Sequence, residues 1–120
     1  MSKPTAAHLG LAKHVLKYVK GTRDYGLTFY KWKTELKLTG YCDSDWGSSE
    51  DRCSIMGYCF KLSNNGPLVS WKTKKQRVVA LSTCEAEYVS VSHAVQECNV
   101  LFQLCRCNRI LKRDCNITCW

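Results

Sequence analysis

Leu38-Thr39-Gly40-Tyr41-Cys42-Asp43-Ser44-Asp45-Trp46-Gly47 opens as an alternating strand and ends in acids. Downstream, Ala80-Leu81-Ser82-Thr83-Cys84-Glu85-Ala86-Glu87-Tyr88 reads as the start of a helix with more acids in its opening turns. Carboxylates delivered from a strand end and a helix start can converge on one point. Glu87 lies five residues past Ser82, on the same helical face as Val91 and Cys98, so it is expected to point toward the sheet. A carboxylate placed there must be protonated, paired or bound to a cation, because an isolated buried charge is costly. Oxygen-only ligands select magnesium or manganese over zinc. Plainer roles stay open: Glu87, like Glu85, suits the helix macrodipole, and Asp43 and Asp45 suit a capped turn.

Working outward, residues 5–20 carry Leu9, Leu11, Ala12, Val15, Leu16 and Val19 at helical spacing, with Lys13, Lys17 and Lys20 opposite. Pro4 suits the start of that helix and Gly21 its end. A short strand is expected at Gly26–Tyr30, then a polar turn through Lys33–Glu35. Lys37–Asp43 reads as the first core strand, Ser44–Ser54 as an irregular polar loop and Ile55–Leu62 as the second strand. Asn64-Asn65-Gly66-Pro67 is a hairpin signal. Leu68–Lys72 and Arg77–Leu81 read as a third strand, interrupted or followed by the basic stretch Lys72–Arg77. The long helix opens on a Ser82-x-x-Glu85 capping box. Its apolar face is expected to run through Val91, Val95, Cys98, Leu101, Phe102 and Cys105, and Asn116–Trp120 looks like a strand just beginning. These elements make a mixed α/β layer fold.

Composition bounds the chemistry. The chain has 120 residues, enough for one domain, and its 45% apolar and 23% charged residues show an ordinary globular balance. No apolar run reaches the roughly 18 residues a membrane span needs, and Met1–His8 lacks the apolar core of a signal peptide, so a reducing compartment is expected. The nine cysteines are an odd number, and Cys42, Cys59, Cys84 and Cys98 fall within expected strands or helices. Neither Cys105/Cys107 nor Cys115/Cys119 has the Cys-x-x-Cys zinc spacing, so reduced core thiols are expected. The formal charge of +8 suits a polyanionic partner such as nucleic acid, although a solvated basic surface would produce the same number.

Four ordered motifs carry a resemblance to the ribonuclease H domain of copia-type retrotransposon Pol polyproteins. The family's Gly-Tyr-Ser-Asp-Ala-Asp-Trp-Ala-like motif reads here Gly40-Tyr41-Cys42-Asp43-Ser44-Asp45-Trp46-Gly47. Its Arg-Ser-Thr-Ser-Gly-Tyr-like segment is matched by Arg52–Tyr58, its Ser-Trp-x-Ser-Lys-Lys-Gln by Ser70–Gln76, and its Ala-Leu-Ser-Ser-Thr-Glu-Ala-Glu-Tyr by Ala80–Tyr88. Upstream, Lys3–His8 and Tyr18–Thr22 match as well, so the resemblance runs from about residue 3 to about residue 105.

The resemblance implies a ribonuclease H-like mixed sheet: a three-stranded antiparallel meander, a crossover helix and the start of a fourth strand. It implies that residues 1–35, a helix and strand, connect to an upstream reverse transcriptase, and that residues 36–120 form the ribonuclease H-like domain. Asp43 is then the first catalytic aspartate and Glu87 the catalytic glutamate, both holding metal, with Asp45 shaping the loop. Two magnesium or manganese ions serve the complete family site, one generating the attacking hydroxide and one stabilising the leaving 3′ oxygen. The implied substrate is the RNA strand of RNA:DNA hybrids during reverse transcription, recognised through 2′-hydroxyls. Lys72, Lys74, Lys75 and Arg77 are the candidates for phosphate contacts, with an exposed solvated turn as the plainer reading. The implied location is the cytoplasm, in virus-like particles, or the nucleus.

The chain departs from the family near its end. The third catalytic aspartate belongs to a Cys-Asp-Asn motif closing the strand after the long helix, and the sequence reaches only Asn116–Trp120. Asp114 precedes that strand and is no substitute. Arg106–Cys115 is unusually rich in cysteine and basic residues, and Asn99 stands where the family has an apolar residue. The domain is therefore expected to be truncated and impaired, cleaving hybrids feebly or not at all. The alternative is a catalytically dead remnant that acts as a basic nucleic-acid-binding or host-interaction protein.

Overall fold

Thr5 caps the first helix, α1 (Ala6–Gly21), through a reciprocal box with His8: the Thr5 N–H donates to His8 Nδ1 at 3.0 Å while the Thr5 hydroxyl accepts from the His8 N–H. In the computed structural model, residues 3–31, 36–63, 65–108, 110 and 115–119 are described. The expected turn through Lys33–Glu35, Asn64 of the hairpin signal, Asp114 and Trp120 lie outside them. Every residue of α1 is exposed, and among the described residues the helix touches no other element. The strand expected at Gly26–Tyr30 does not form. That segment is irregular and exposed, and among the described residues no strand pairs with it.

The remaining elements are β1 (Leu38–Asp45), β2 (Ile55–Lys61), β3 (Leu68–Lys75), α2 (Thr83–Cys107) and β4 (Cys115–Cys119). β1, β2 and β3 form an antiparallel meander, α2 crosses over, and β4 returns parallel to β1, giving the spatial order β3-β2-β1-β4. This is the expected α/β architecture, compatible with a ribonuclease H-like sheet. Two boundaries differ from the reading of the sequence. β1 continues through Asp45, and β3 is one strand ending at Lys75, so Lys72, Lys74 and Lys75 sit in a strand while residues 77–81 are irregular. Alternation decided this: β3 is an edge strand whose outer positions face water, where lysine is at no disadvantage.

The core lies between one sheet face and α2. Leu38, Cys42, Tyr58 and Phe60 meet Ala94, Cys98 and Cys105, flanked by Val91, Leu101, Phe102 and Ile117. The buried stripe of α2 is Ala86, Ser90, Ala94, Cys98 and Cys105, whereas Val95, expected on that face, is 42% exposed. Small residues at four-residue spacing let the helix axis approach the sheet closely; a valine there would hold it off. Gly40 serves the same end from the sheet, since a Cβ at that position would overlap the ring of its cross-strand partner Phe60. Cys98 and Cys115 are joined as a disulfide between α2 and β4, which corrects the expectation of reduced thiols throughout; the other described cysteines are free.

Candidate active site at the β1–α2 junction

Ser82 caps α2 by accepting from the Glu85 N–H at 3.2 Å, and Glu85 reaches one residue further back than a standard box, accepting from the Leu81 N–H at 2.6 Å. Glu85 is thereby committed to the cap, leaving Glu87 as the acid of this turn that faces the sheet. Glu87 Oε1 accepts from the Ser44 N–H at 3.2 Å, immediately after Asp43. Its other oxygen, Oε2, is buried and has no hydrogen-bond partner among the described residues. Burial raises the Glu87 carboxyl above its ordinary range, the Asp43 charge raises it further, and the Ser44 N–H partly offsets both. Asp43 and Glu87 are thus within electrostatic reach of each other.

The backbone carrying Asp43 is fixed from beneath. Ser90, fully buried and one turn along α2 from Glu87, donates to the Asp43 carbonyl at 2.8 Å and lies 3.4 Å from the Gly57 carbonyl. Gln76, at the end of the basic stretch and 4% exposed, donates through Nε2 to the Ala86 carbonyl at 2.9 Å and lies 3.4 Å from the Ser44 hydroxyl. It ties β3's exit to both halves of the site. The Trp46 indole N–H donates to the Ala80 carbonyl at 2.9 Å, closing the loop after β1 against the approach to α2. Sequence reasoning alone does not single out Ser90 or Gln76. The only signal was a hydroxyl and an amide at positions whose neighbours, Ala86 and Ala94 or the flanking lysines, explain neither.

Asp45 ends β1, exposed, and its backbone carbonyl accepts from the Ser48 hydroxyl at 3.3 Å. The basic residues lie along the β3 edge and just past it. Register pairs Asp43 with Gly57 and Gly57 with Thr73, so Lys72 and Lys74 flank the position level with Asp43. Two strand spacings, about 10 Å, separate that edge from β1. Lys75 is not a free cation: its Nζ is 2.7 Å from Asp51, which raises the lysine and lowers the aspartate from their ordinary values. Arg77 follows in the irregular segment with Gln76 and Val78 around it.

The chemistry of the donors suits a hard divalent cation. Asp43, exposed near the end of β1, acts electrostatically on Glu87, and an unpartnered buried oxygen is the kind of atom a cation would satisfy. Among the described residues no cluster of three or more acidic, histidine or cysteine side chains could hold a metal, so Asp43 and Glu87 would bind a cation that keeps most of its waters.

The fold and this junction define a class: a mixed α/β domain with a carboxylate pair where a strand end meets a helix start. Comparison with known proteins finds similarity to a secreted effector and to retrotransposon Pol polyproteins. The chain is 50% identical over 97 residues to the secreted RxLR effector protein 161 of Plasmopara viticola, covering 80% of this chain and 66% of that protein. It is 39% identical over 109 residues to the retrovirus-related Pol polyprotein from transposon RE2 of Arabidopsis thaliana, and 38% identical over 98 residues to that from transposon TNT 1-94 of Nicotiana tabacum. These matches cover 87% and 81% of this chain but only 7% of each polyprotein. The chain is therefore homologous to a short region of retrotransposon Pol polyproteins. No family model and no solved structure matches it.

Proposed function

We propose that this chain is the ribonuclease H region of a retrotransposon Pol polyprotein, binding RNA:DNA hybrids and cutting the RNA strand with a divalent cation held by Asp43 and Glu87. The observation that carries this reading is that one Glu87 oxygen accepts from the Ser44 N–H, next to Asp43, while the other is buried with no hydrogen-bond partner among the described residues. Magnesium or manganese, when bound there, would supply Lewis-acid stabilisation of charge developing on the phosphate oxygens. The chain's own residues do the rest. Ser44 orients Glu87 through its N–H, Ser90 fixes the Asp43 backbone, and Trp46 ties the loop after β1 to Ala80. Lys72 and Lys74 on the β3 edge strand and Arg77 just past it are the proposed phosphate contacts.

Activity of this chain is proposed to be slow, because two carboxylates hold a largely hydrated divalent cation weakly. The same shortage favours a second reading, a non-catalytic nucleic-acid-binding region. A labelled RNA:DNA hybrid separates the two. Preferential hybrid binding with slow, magnesium- or manganese-dependent cutting, lost in Asp43→Asn, supports the nuclease. Binding without any cation-dependent cutting, identical in Asp43→Asn, would leave the binding region as the function.

A further inference from the structure

β4 carries Cys115, Ile117 and Cys119 at every second position, so all three side chains share the face turned to the core. Cys115 meets Cys98 of α2 and Ile117 packs on the core cluster. Cys119 closes the ladder, directly paired with Cys42 of β1 in the parallel register, and the two sulfurs are 2.8 Å apart. Bonded sulfurs stand about 2.05 Å apart, so closure needs a movement of less than about 1 Å. Cys42 is buried, 2% exposed, next to Asp43, whereas Cys119 is exposed at the strand end. One thiol is thus open to solvent and the other is held against it.

We propose that Cys42 and Cys119 form an oxidisable dithiol, a modification site for hydroperoxides that staples β4 to the strand carrying Asp43. The Cys119 thiolate attacks the terminal oxygen of hydrogen peroxide, the O–O bond breaks, and protonated hydroxide leaves as water, giving a sulfenic acid on Cys119. The Cys42 sulfur then attacks the Cys119 sulfur, the new S–S bond forms, and the sulfenic hydroxyl leaves with the Cys42 proton as a second water. Two thiols lose two electrons in all, and the peroxide is reduced to two waters. The site does not depend on the nuclease reading.

The test uses the full chain, treated with hydrogen peroxide, alkylated with N-ethylmaleimide and digested with trypsin without reduction. The expected product joins the peptide Leu38–Arg52 to Asp114–Trp120 through Cys119, with Val78–Arg106 also attached through the Cys98–Cys115 disulfide; fragment ions assign it, Cys115→Ser leaves the first two peptides joined without the third, and dithiothreitol releases them. Oxidation should also raise the thermal midpoint by roughly 5 °C, since the bridge closes a long loop, and Cys119→Ser should lose both effects. Two results would overturn the proposal: Cys119 accumulating as sulfinic acid while Cys42 stays alkylatable, or Cys42 pairing with other cysteines as indiscriminately under native conditions as in guanidinium.

Discussion

Glu87 is stabilised by one backbone N–H and penalised by burial and by Asp43, and the penalties win. Its carboxyl therefore binds a proton more tightly in the folded chain than in the unfolded one. Stability from this group is full at acid pH and is lost as pH rises from the ordinary carboxylate range through the raised value. Glu87→Gln should accordingly melt higher than the native chain near neutral pH, with the gap closing in acid; a melting series between about pH 3 and pH 7 measures it. Glu87→Gln melting lower than the native chain near neutral pH, with the deficit closing in acid, would mean the carboxylate is held by a partner rather than strained. Cys42 shows the same influences on a thiol: burial, then its hydrogen bond with Cys119 and the nearby acids, pushes it up to about 12. Gly40 makes a steric statement. Gly40→Ala should cost about 1–3 kcal/mol in urea unfolding, because Phe60 must leave its place in the core to admit the methyl.

At the scale of elements, much was legible before the structure. The Ser82 cap, the meander and the returning strand follow from alternation, turn chemistry and capping signals in the sequence, which are local physics. What was not legible depended on neighbours. Gly26–Tyr30 has strand composition but no strand to pair with, and the basic stretch reads as a turn until β2 is known to pair with it. On α2, hydrophobicity pointed to Val95, while the close approach of helix to sheet selected Ala86, Ser90 and Ala94. Glu87 could be placed on the sheet side because its spacing from Cys98 is local; its bond to the Ser44 N–H could not.

The β3 edge yields a prediction at the same scale. Neutralising Lys72, Lys74, Lys75 and Arg77 together should flatten the dependence of hybrid affinity on salt, by about 0.9 in log–log slope for each phosphate of a B-form duplex that no longer meets a cation. Lys75→Gln alone should flatten it least, because Asp51 already holds that ammonium. Affinity titrations at several salt concentrations read the slope, and an unchanged slope in the quadruple variant would make the edge a solvated surface.

For the whole molecule, the fold brings an acid near the end of β1 and an acid from the crossover helix within electrostatic reach of each other, with a basic edge strand two strands away, although they lie far apart in the chain. That convergence is the central claim, and cation binding tests it most directly. Manganese binding, followed by calorimetry and by the thermal midpoint in parallel, should show uptake by the native chain with a rise in melting temperature. Both signals should disappear in Asp43→Asn and in Glu87→Gln, each variant remaining folded. Manganese uptake that survives in both variants, or none in the native chain at millimolar metal, would contradict the account.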